Sequence, residues 1–186
     1  MFTLLFFAAS LAGHLIPAAD AFHLQDTTGA MHTAQEWSGA KAVVLFFVSI
    51  DCPISNSYVP EMQRINAAYS EKGVRFYAVQ PDAGRAPADV KKYAEDFALP
   101  FPLLADPKQT LTHSVGATIQ PQVVVLSPAG QVVYSGRIDD RYIEIGKSRL
   151  EATRHDLREA LDAVLAGKPV AHAKTQAVGC VIPGLP

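Results

Sequence analysis

The fold of this chain is decided by the stretch from residue 46 to residue 55, which reads Phe46-Phe47-Val48-Ser49-Ile50-Asp51-Cys52-Pro53-Ile54-Ser55. It completes an apolar run that starts at Ala42, and a run that is apolar on both faces is typical of a central strand covered by helices on each side. A helix is predicted shortly afterwards, over residues 57–70. Cys52 therefore falls between the end of a strand and the first turn of a helix.

The position of Cys52 predicts sulfur chemistry. At the start of a helix, backbone N–H groups and the positive end of the helix dipole point at the sulfur, which favours the thiolate over the thiol. Pro53 and the polar residues Asn56 and Ser57 favour an open site, so we expect an exposed sulfur. The alternative is a small buried apolar side chain, because many single cysteines beside a hydrophobic strand have that role.

The composition is that of an ordinary globular protein. The 186 residues are 49% apolar and 18% charged, with a net charge of -2, which allows one well-formed core. Acidic and basic residues are interspersed, and the sequence lacks the basic patch that nucleic-acid binding requires. We therefore expect no nucleic-acid partner.

Residues 1–21 have the composition of a secretory signal peptide. Their apolar stretch ends in Ala19-Asp20-Ala21, a small-x-small cleavage pattern. A short membrane anchor is the alternative, but the stretch is shorter than the roughly 20 continuous apolar residues that a spanning helix needs. We expect export to the periplasm or outside the cell, with no membrane association beyond the signal, in an oxidising compartment where disulfides persist.

Strands and helices alternate along the rest of the chain. Apolar periodicity and turn residues predict a hairpin over 22–37, strands over 42–48 and 74–79, helices over 57–70 and 87–97, a short apolar segment over 99–104, a brief helix opened by Asp106-Pro107, and a hairpin of 123–126 with 132–137. A capping box at residues 148–151 predicts a last helix over 149–166 with Leu150 on its buried face. We find no internal repeat, so residues 22–166 form one domain, and residues 167–186 form an extended tail that carries Cys180.

This order of elements resembles the thioredoxin fold, and three local features support the resemblance. Cys52-Pro53-Ile54-Ser55 occupies the place of the redox Cys-x-x-Cys, with serine instead of the second cysteine. Pro60 lies at the spacing at which thioredoxins kink the active-site helix, and Gln120-Pro121 stands where the family keeps a cis-proline against the active-site sulfur. The resemblance implies a three-layer α/β/α sandwich with a central mixed sheet.

More narrowly, three segments look like those of exported redoxin-domain proteins, a branch that includes the alkyl hydroperoxide reductase and thiol-specific antioxidant type. These segments are residues 51–62, residues 134–142 and Gly179-Cys180. The resemblance implies a thiol-disulfide oxidoreductase without a cofactor, in which Cys52 is the nucleophile and Pro121 lies beside it. Its substrates would be protein or small-molecule disulfides and thiols, and an external thiol would supply electrons.

Cys180 is the internal candidate for a second sulfur. A thioredoxin-type pair resolves its mixed disulfide with the second cysteine, and the hydroxyl of Ser55 cannot act as that nucleophile. A last helix over 149–166 would run about 27 Å away from the site, and the 14 residues from Gly167 to Cys180 extend to about 46 Å, so the tail can return. An intermolecular bond and a purely structural disulfide are the alternatives.

Charged residues around the predicted site have two interpretations each. The carboxylate of Asp51 opposes ionisation of the neighbouring thiol, and aspartate is also a helix-capping residue. Arg137, Asp139, Asp140 and Arg141 follow the last strand of the sheet. They either form a charged rim that steadies a thiolate or pair with one another, and only Arg137 is kept as a supporting candidate.

Peroxide reduction is the main alternative activity. Peroxiredoxins carry a Pro-x-x-x-Thr-x-x-Cys pattern in which the hydroxyl residue and a separate arginine bind the peroxide. Ser49 stands at the hydroxyl position before Cys52, whereas Leu45 replaces the proline. The predicted cis-proline also suits disulfide substrates better than peroxides.

A non-catalytic binding or assembly module that depends on Cys52 is a further alternative. Copper carriers of the superfamily use two nearby cysteines and a histidine, and Cys52 is the sole cysteine of its motif. No metal is expected, because ligand spacing is missing among the histidines His23, His32, His113, His155 and His172.

Overall fold

The computed structural model describes residues 21–185. The predicted signal, apart from Ala21, therefore lies outside the described residues. The elements within the described range are, in chain order, β1 (His23–Gln25), β2 (Met31–Thr33), β3 (Ala42–Phe47), α1 (Pro53–Tyr69), β4 (Val74–Gln80), α2 (Pro87–Asp96), β5 (Leu103–Ala105), α3 (Thr110–Val115), β6 (Ile119–Gln120), β7 (Gln122–Leu126), β8 (Val132–Gly136), β9 (Tyr142–Glu144), β10 (Lys147–Ser148), α4 (Asp156–Leu165) and β11 (Cys180–Val181). Two short 3-10 helices span Ala34–Trp37 and Ser70–Lys72.

The centre of the molecule is a five-stranded mixed sheet in the order β5-β4-β3-β7-β8. β3 pairs parallel with β4 and antiparallel with β7, and Phe46 lies opposite both Ala78 and Val123. Every residue of β3 is buried, as its continuous apolar run predicts. The predicted central strand and mixed sheet are confirmed.

Helices and short segments cover both faces of this sheet. Side chains alternate along β3, so Val44 and Phe46 pack with α1, α2 and α4, whereas Leu45 and Phe47 pack with α3 and the segment around Trp37. The predicted three-layer sandwich is confirmed, and it places the carboxyl end of β3 and the start of α1 at one edge of the core.

Two helices, α1 and α4, begin at other residues than the sequence predicts. α1 begins at Pro53 instead of residue 57, with proline in its first turn, a position that does not require the missing N–H. α4 begins at Asp156 instead of residue 149, and Leu150 is 98% exposed. The predicted start of this last helix is therefore wrong.

The carboxylate of Asp140 explains the late start of α4. Its oxygens accept hydrogen bonds from the N–H of Thr153 at 2.7 Å, from the Thr153 hydroxyl at 2.6 Å and from the N–H of Arg154 at 2.9 Å. These bonds hold residues 149–154 in a loop, and Ser148 of the predicted capping box lies in β10. A side chain distant in sequence thus overrides the local helix signal.

The C-terminal tail is bound to the domain on both sides of Cys180. Before it, Thr175 donates its N–H to the carbonyl of Ser135 in β8 at 3.1 Å. After it, Ile182 is 1% exposed in the core face that contains Phe47, and its N–H donates to the carbonyl of Thr118 at 2.9 Å. The tail therefore returns across the domain along a fixed path.

A network around His32 fastens the N-terminal hairpin to the sheet. His32 contacts Asp26 through Nε2 at 3.0 Å and Glu36 through Nδ1 at 2.9 Å, and the hydroxyl of Tyr77 in β4 donates to the same Glu36 carboxylate at 2.9 Å. Burial alone lowers the pKa of His32, but its hydrogen bonds to Glu36 and Asp26 outweigh burial and raise it. Burial raises the pKa of Asp26, but hydrogen bonds from His32, from Thr28 and from the Ala30 N–H outweigh burial and lower it to about 2.

The stability contributed by His32 should depend on pH. Because the folded pKa is raised, the contribution is present in full below the unfolded pKa of about 6.5 and is lost as the pH rises through the folded value. We expect His32→Gln to destabilise the protein by about 1 kcal/mol at about pH 6 and by less at about pH 9. Denaturant unfolding at both pH values measures this, with His113→Gln on the exposed face of α3 as control. An effect of equal size at both pH values would contradict the prediction.

Candidate active site at the start of helix α1

Cys52 is the N-cap residue of α1. The loop from β3 brings it there, and its N–H donates to the carbonyl of Ser49 at 3.2 Å. The backbone N–H groups of Ile54 and Ser55 in the first turn of the helix point at its sulfur. The predicted placement of Cys52 between a strand and a helix is confirmed.

The sulfur of Cys52 is covered, because the residue is only 1% exposed. The prediction of an exposed sulfur is therefore wrong. The cover is the C-terminal tail: β11 pairs antiparallel with β6, and this register sets Cys180 opposite Gln120. A segment more than a hundred residues away in the sequence thus closes the site that α1 opens.

Gln120 and Pro121 form the wall beside Cys52. The Gln120-Pro121 peptide bond is cis, as predicted, and the Cys52 thiol donates to the carbonyl of Gln120 at 3.3 Å. Gly179 of the tail packs on the same two residues, and a Cβ at position 179 would overlap the carbonyl of Gln120. Only glycine permits this approach, which makes Gly179 a site residue that the roles assigned from the sequence missed.

The two cysteines lie close enough for each to act on the ionisation of the other. Burial raises the pKa of Cys52, but hydrogen bonds from the Cys180 thiol and from the N–H groups of Ser55, Cys180 and Ile54 outweigh it, so the pKa lies below its ordinary value. Burial and the bond to Cys52 raise the pKa of Cys180 to about 11. Cys52 is therefore the thiol of the pair that ionises first, and Cys180 keeps its proton to higher pH.

Ser55 and Ser49 support the turn around the cysteine. Ser55 is fully buried, and its Oγ accepts the N–H of Ser49 at 3.3 Å. The contribution of Ser55 to the Cys52 sulfur is its backbone N–H. Ser49 is also buried, and its carbonyl holds the loop by accepting the N–H of Cys52.

The arginine predicted as a supporting residue lies elsewhere. Arg137 forms a bidentate ion pair with the buried carboxylate of Asp156, with Nε–Oδ2 and Nη2–Oδ1 distances of 2.7 and 3.3 Å. Arg141 stacks on the ring of Tyr58, whose hydroxyl donates to Asp139 at 2.5 Å. The side chains of Arg137 and Asp139 thus bind Asp156 and Tyr58, and not one another.

Asp51 has a partner that sequence reasoning missed. Arg85, in the loop between β4 and α2, forms an ion pair with Asp51 and a second one with Asp82, with Nε–Oδ2 at 2.9 Å. Cys52, and not Asp51, caps the helix. The guanidinium therefore compensates the carboxylate next to the thiol. No spacing in the sequence relates residues 51 and 85, because the fold alone brings the two loops together.

Within residues 21–185, no group of three or more histidine, cysteine, aspartate or glutamate side chains could hold a metal ion. No helix in the same range has the length and apolar character needed to cross a membrane.

The fold and a helix-capping cysteine beside a cis-proline define a thioredoxin-like redoxin. The sequence model described as AhpC/TSA family matches residues 16–135. The chain therefore belongs to the AhpC/TSA family.

Comparisons with individual proteins agree with this assignment. The thiol-disulfide oxidoreductase ResA of Geobacillus thermodenitrificans is 28% identical over 68% of this chain and 71% of the relative. An uncharacterized conserved protein of Geobacillus kaustophilus superposes with a TM-score of 0.79 and 28% identity over 89% of each chain. A secreted disulfide oxidoreductase of Mycobacterium tuberculosis, 18% identical with a TM-score of 0.53 over 79% of this chain and 96% of that one, shares the fold.

Removal of the Cys180 thiol should make Cys52 less acidic. Cys180→Ala deletes the side-chain donor but leaves the backbone N–H groups around the sulfur, so we expect the pKa of Cys52 to rise by roughly one unit. Ultraviolet absorbance of the thiolate as a function of pH measures it without an alkylating reagent. The single-cysteine variant Cys52→Ala provides the matched titration of Cys180, whose pKa should fall. An unchanged or lowered pKa of Cys52 would show that the contact does not stabilise the thiolate.

Ser55→Ala should lower the stability of the fold and leave the pKa of Cys52 nearly unchanged. It leaves the buried N–H of Ser49 without its acceptor, and we expect a loss of about 1–3 kcal/mol of stability. The N–H of residue 55 is retained, so the pKa of Cys52 should move by less than about half a unit. Chemical denaturation and thiolate absorbance measure the two effects. A large pKa change with unchanged stability would instead assign the Ser55 hydroxyl a role at the sulfur.

Proposed function

We propose that the chain is an exported thiol-disulfide oxidoreductase whose redox pair is Cys52 and Cys180. The observation that carries the proposal is the pairing of β11 with β6, which sets Cys180 opposite Gln120, the residue whose carbonyl contacts the Cys52 thiol. The pair cycles between a dithiol and an internal disulfide, and Cys180 replaces the second cysteine of a Cys-x-x-Cys motif. The name of the ResA relative supports the same chemistry.

The position of the tail favours an internal pair over the alternatives for Cys180. β11 is hydrogen-bonded to β6 of the same chain, which directs the Cys180 side chain to Cys52 instead of to another molecule. The Cys52 thiol and Cys180 both lie against Gln120, so the two cysteines are neighbours within one domain and an S–S bond of about 2.05 Å would join them there. A purely structural disulfide is disfavoured by the lowered pKa of Cys52, since thiolate character supports exchange.

The substrates proposed for this pair are protein or small-molecule disulfides and thiols. Each cycle oxidises or reduces the pair by two electrons, and an external thiol restores the starting state. The geometry favours this activity over peroxide reduction, because Arg137 is held by Asp156 and the tail covers the sulfur of Cys52.

Export is part of the same proposal. The signal pattern of residues 1–21 and the secreted thioredoxin-fold relative support it. Cleavage after Ala21 would keep both cysteines, and an oxidising compartment would allow the internal disulfide to persist.

Oxidation and turnover test the function together. Mild oxidation should remove two hydrogens from the mass of the protein and yield a peptide that links Cys52 to Cys180. With dithiothreitol as donor, reduction of a disulfide substrate should fall at least about tenfold in both Cys52→Ser and Cys180→Ser. Consumption of hydrogen peroxide is measured beside it. Two free thiols after oxidation, or peroxide turnover that needs Cys52 without disulfide turnover, would reject the proposal.

A further inference from the structure

We infer that redox partners exchange sulfur with Cys180 and that Cys52 is the internal sulfur of every exchange, an inference that rests on the proposed Cys52 and Cys180 pair. The sequence predicts the opposite order, with the mixed disulfide on Cys52 and Cys180 as the resolving thiol. The covered position of Cys52 and the path of the tail reverse this order.

Access differs between the two residues. Cys52 is 1% exposed and belongs to the apolar cluster that contains Tyr58 and Val48. Cys180 is exposed, and its neighbour Val181 is 69% exposed. A partner thiol can therefore approach Cys180 at the surface, whereas contact with Cys52 requires displacement of the tail.

The direction of attack also favours Cys180 as the sulfur to which the partner bonds. A thiolate attacks one sulfur of a disulfide in line with the S–S bond, from the side opposite the departing sulfur. An approach to the sulfur of Cys52 from outside the domain is closed, because the residue is 1% exposed and belongs to the core cluster. Cys180 is exposed, as is the strand β11 that carries it. An approach from outside the domain therefore favours attack on the sulfur of Cys180.

The first turn of α1 also suits Cys52 to the role of leaving group. When the S–S bond breaks towards Cys52, the charge arrives where backbone donors already point. A sulfur with the lower pKa departs faster, and the pKa of Cys52 is lowered whereas that of Cys180 is raised. The pKa values and the exposure of the two cysteines thus favour the same order of exchange, in which the partner bonds to Cys180 and Cys52 departs.

The anchors of the tail keep Cys180 in place during exchange. Thr175 holds one side through β8, and Ile182 is buried on the other. The side-chain amide of Gln109 donates to the carbonyl of Pro183 at 2.6 Å. Opening of the disulfide therefore leaves the tail docked, and Cys52 stays covered while Cys180 carries the partner.

Atoms and electrons balance in each exchange. A donor thiolate forms a bond to the Cys180 sulfur, the bond between Cys180 and Cys52 breaks, and its electron pair leaves on Cys52 as thiolate. The second thiol of the donor then attacks the donor sulfur of the mixed disulfide, releases Cys180 and supplies its proton. The donor dithiol is oxidised by two electrons and the internal disulfide is reduced. Oxidation of the pair by a substrate disulfide follows the reverse path.

The decisive experiment locates the first mixed disulfide in the wild-type protein. The oxidised full chain is mixed with reduced glutathione, quenched in acid at early times, alkylated and mapped by peptide mass spectrometry. We expect glutathione on Cys180 in at least about tenfold excess over Cys52. Equal labelling, or an excess on Cys52, would overturn the inference. Absence of the internal disulfide before glutathione is added would instead count against the proposed function.

A second measurement does not require the disulfide. Cys52→Ser leaves Cys180 as the reacting thiol, and Cys180→Ser leaves Cys52. With dipyridyl disulfide, Cys180 should react at least about tenfold faster than Cys52 although Cys52 is the more acidic thiol. The two rates should converge in denaturant, which removes the cover. Faster reaction of Cys52 in the folded protein would overturn the inference even if no internal disulfide forms.

Discussion

The antiparallel pairing of β11 with β6 is the interaction on which the site depends. It places Cys180 opposite Gln120 and brings the tail over the start of α1. The pairing requires that the chain approach the Gln120 carbonyl more closely than any side chain allows, and Gly179 meets that requirement. Without it, Cys52 would be a solitary cysteine at a helix terminus, and the second sulfur would have no defined position.

The charge distribution around Cys52 follows from this pairing and from the helix. Burial disfavours a thiolate, and the donors that overcome burial come from two sources, the first turn of α1 and the tail. Arg85 adds a compensating charge beside Asp51. The site thus combines a buried position with directed donors, an arrangement that favours ionisation of Cys52 over that of Cys180.

Much of the fold could be predicted because its signals are local. The apolar run of β3, the Ser127-Pro128-Ala129-Gly130 turn between β7 and β8, and the position of Cys52 between strand and helix all depend on neighbouring residues. The late start of α4 could not be predicted, because Asp140 acts on Thr153 across a loop. The cover over Cys52 was missed for the same physical reason. The cover depends on a contact between Gly179 and Gln120, and neither residue alone indicates the other.

The separation of the two cysteines in the chain has a thermodynamic consequence. In a Cys-x-x-Cys motif the disulfide closes a ring of a few residues, whereas a bond from Cys52 to Cys180 would close a loop of about 130 residues, with a chain-entropy effect on the unfolded state on the order of 4–5 kcal/mol. Folding and oxidation are then coupled, so the folded domain would hold this bond at a reduction potential on the order of 100 mV below that of the same two cysteines in the unfolded chain. The long loop between the two cysteines would thus make the reduced domain a stronger reductant than the local environment of the two sulfurs alone would make it.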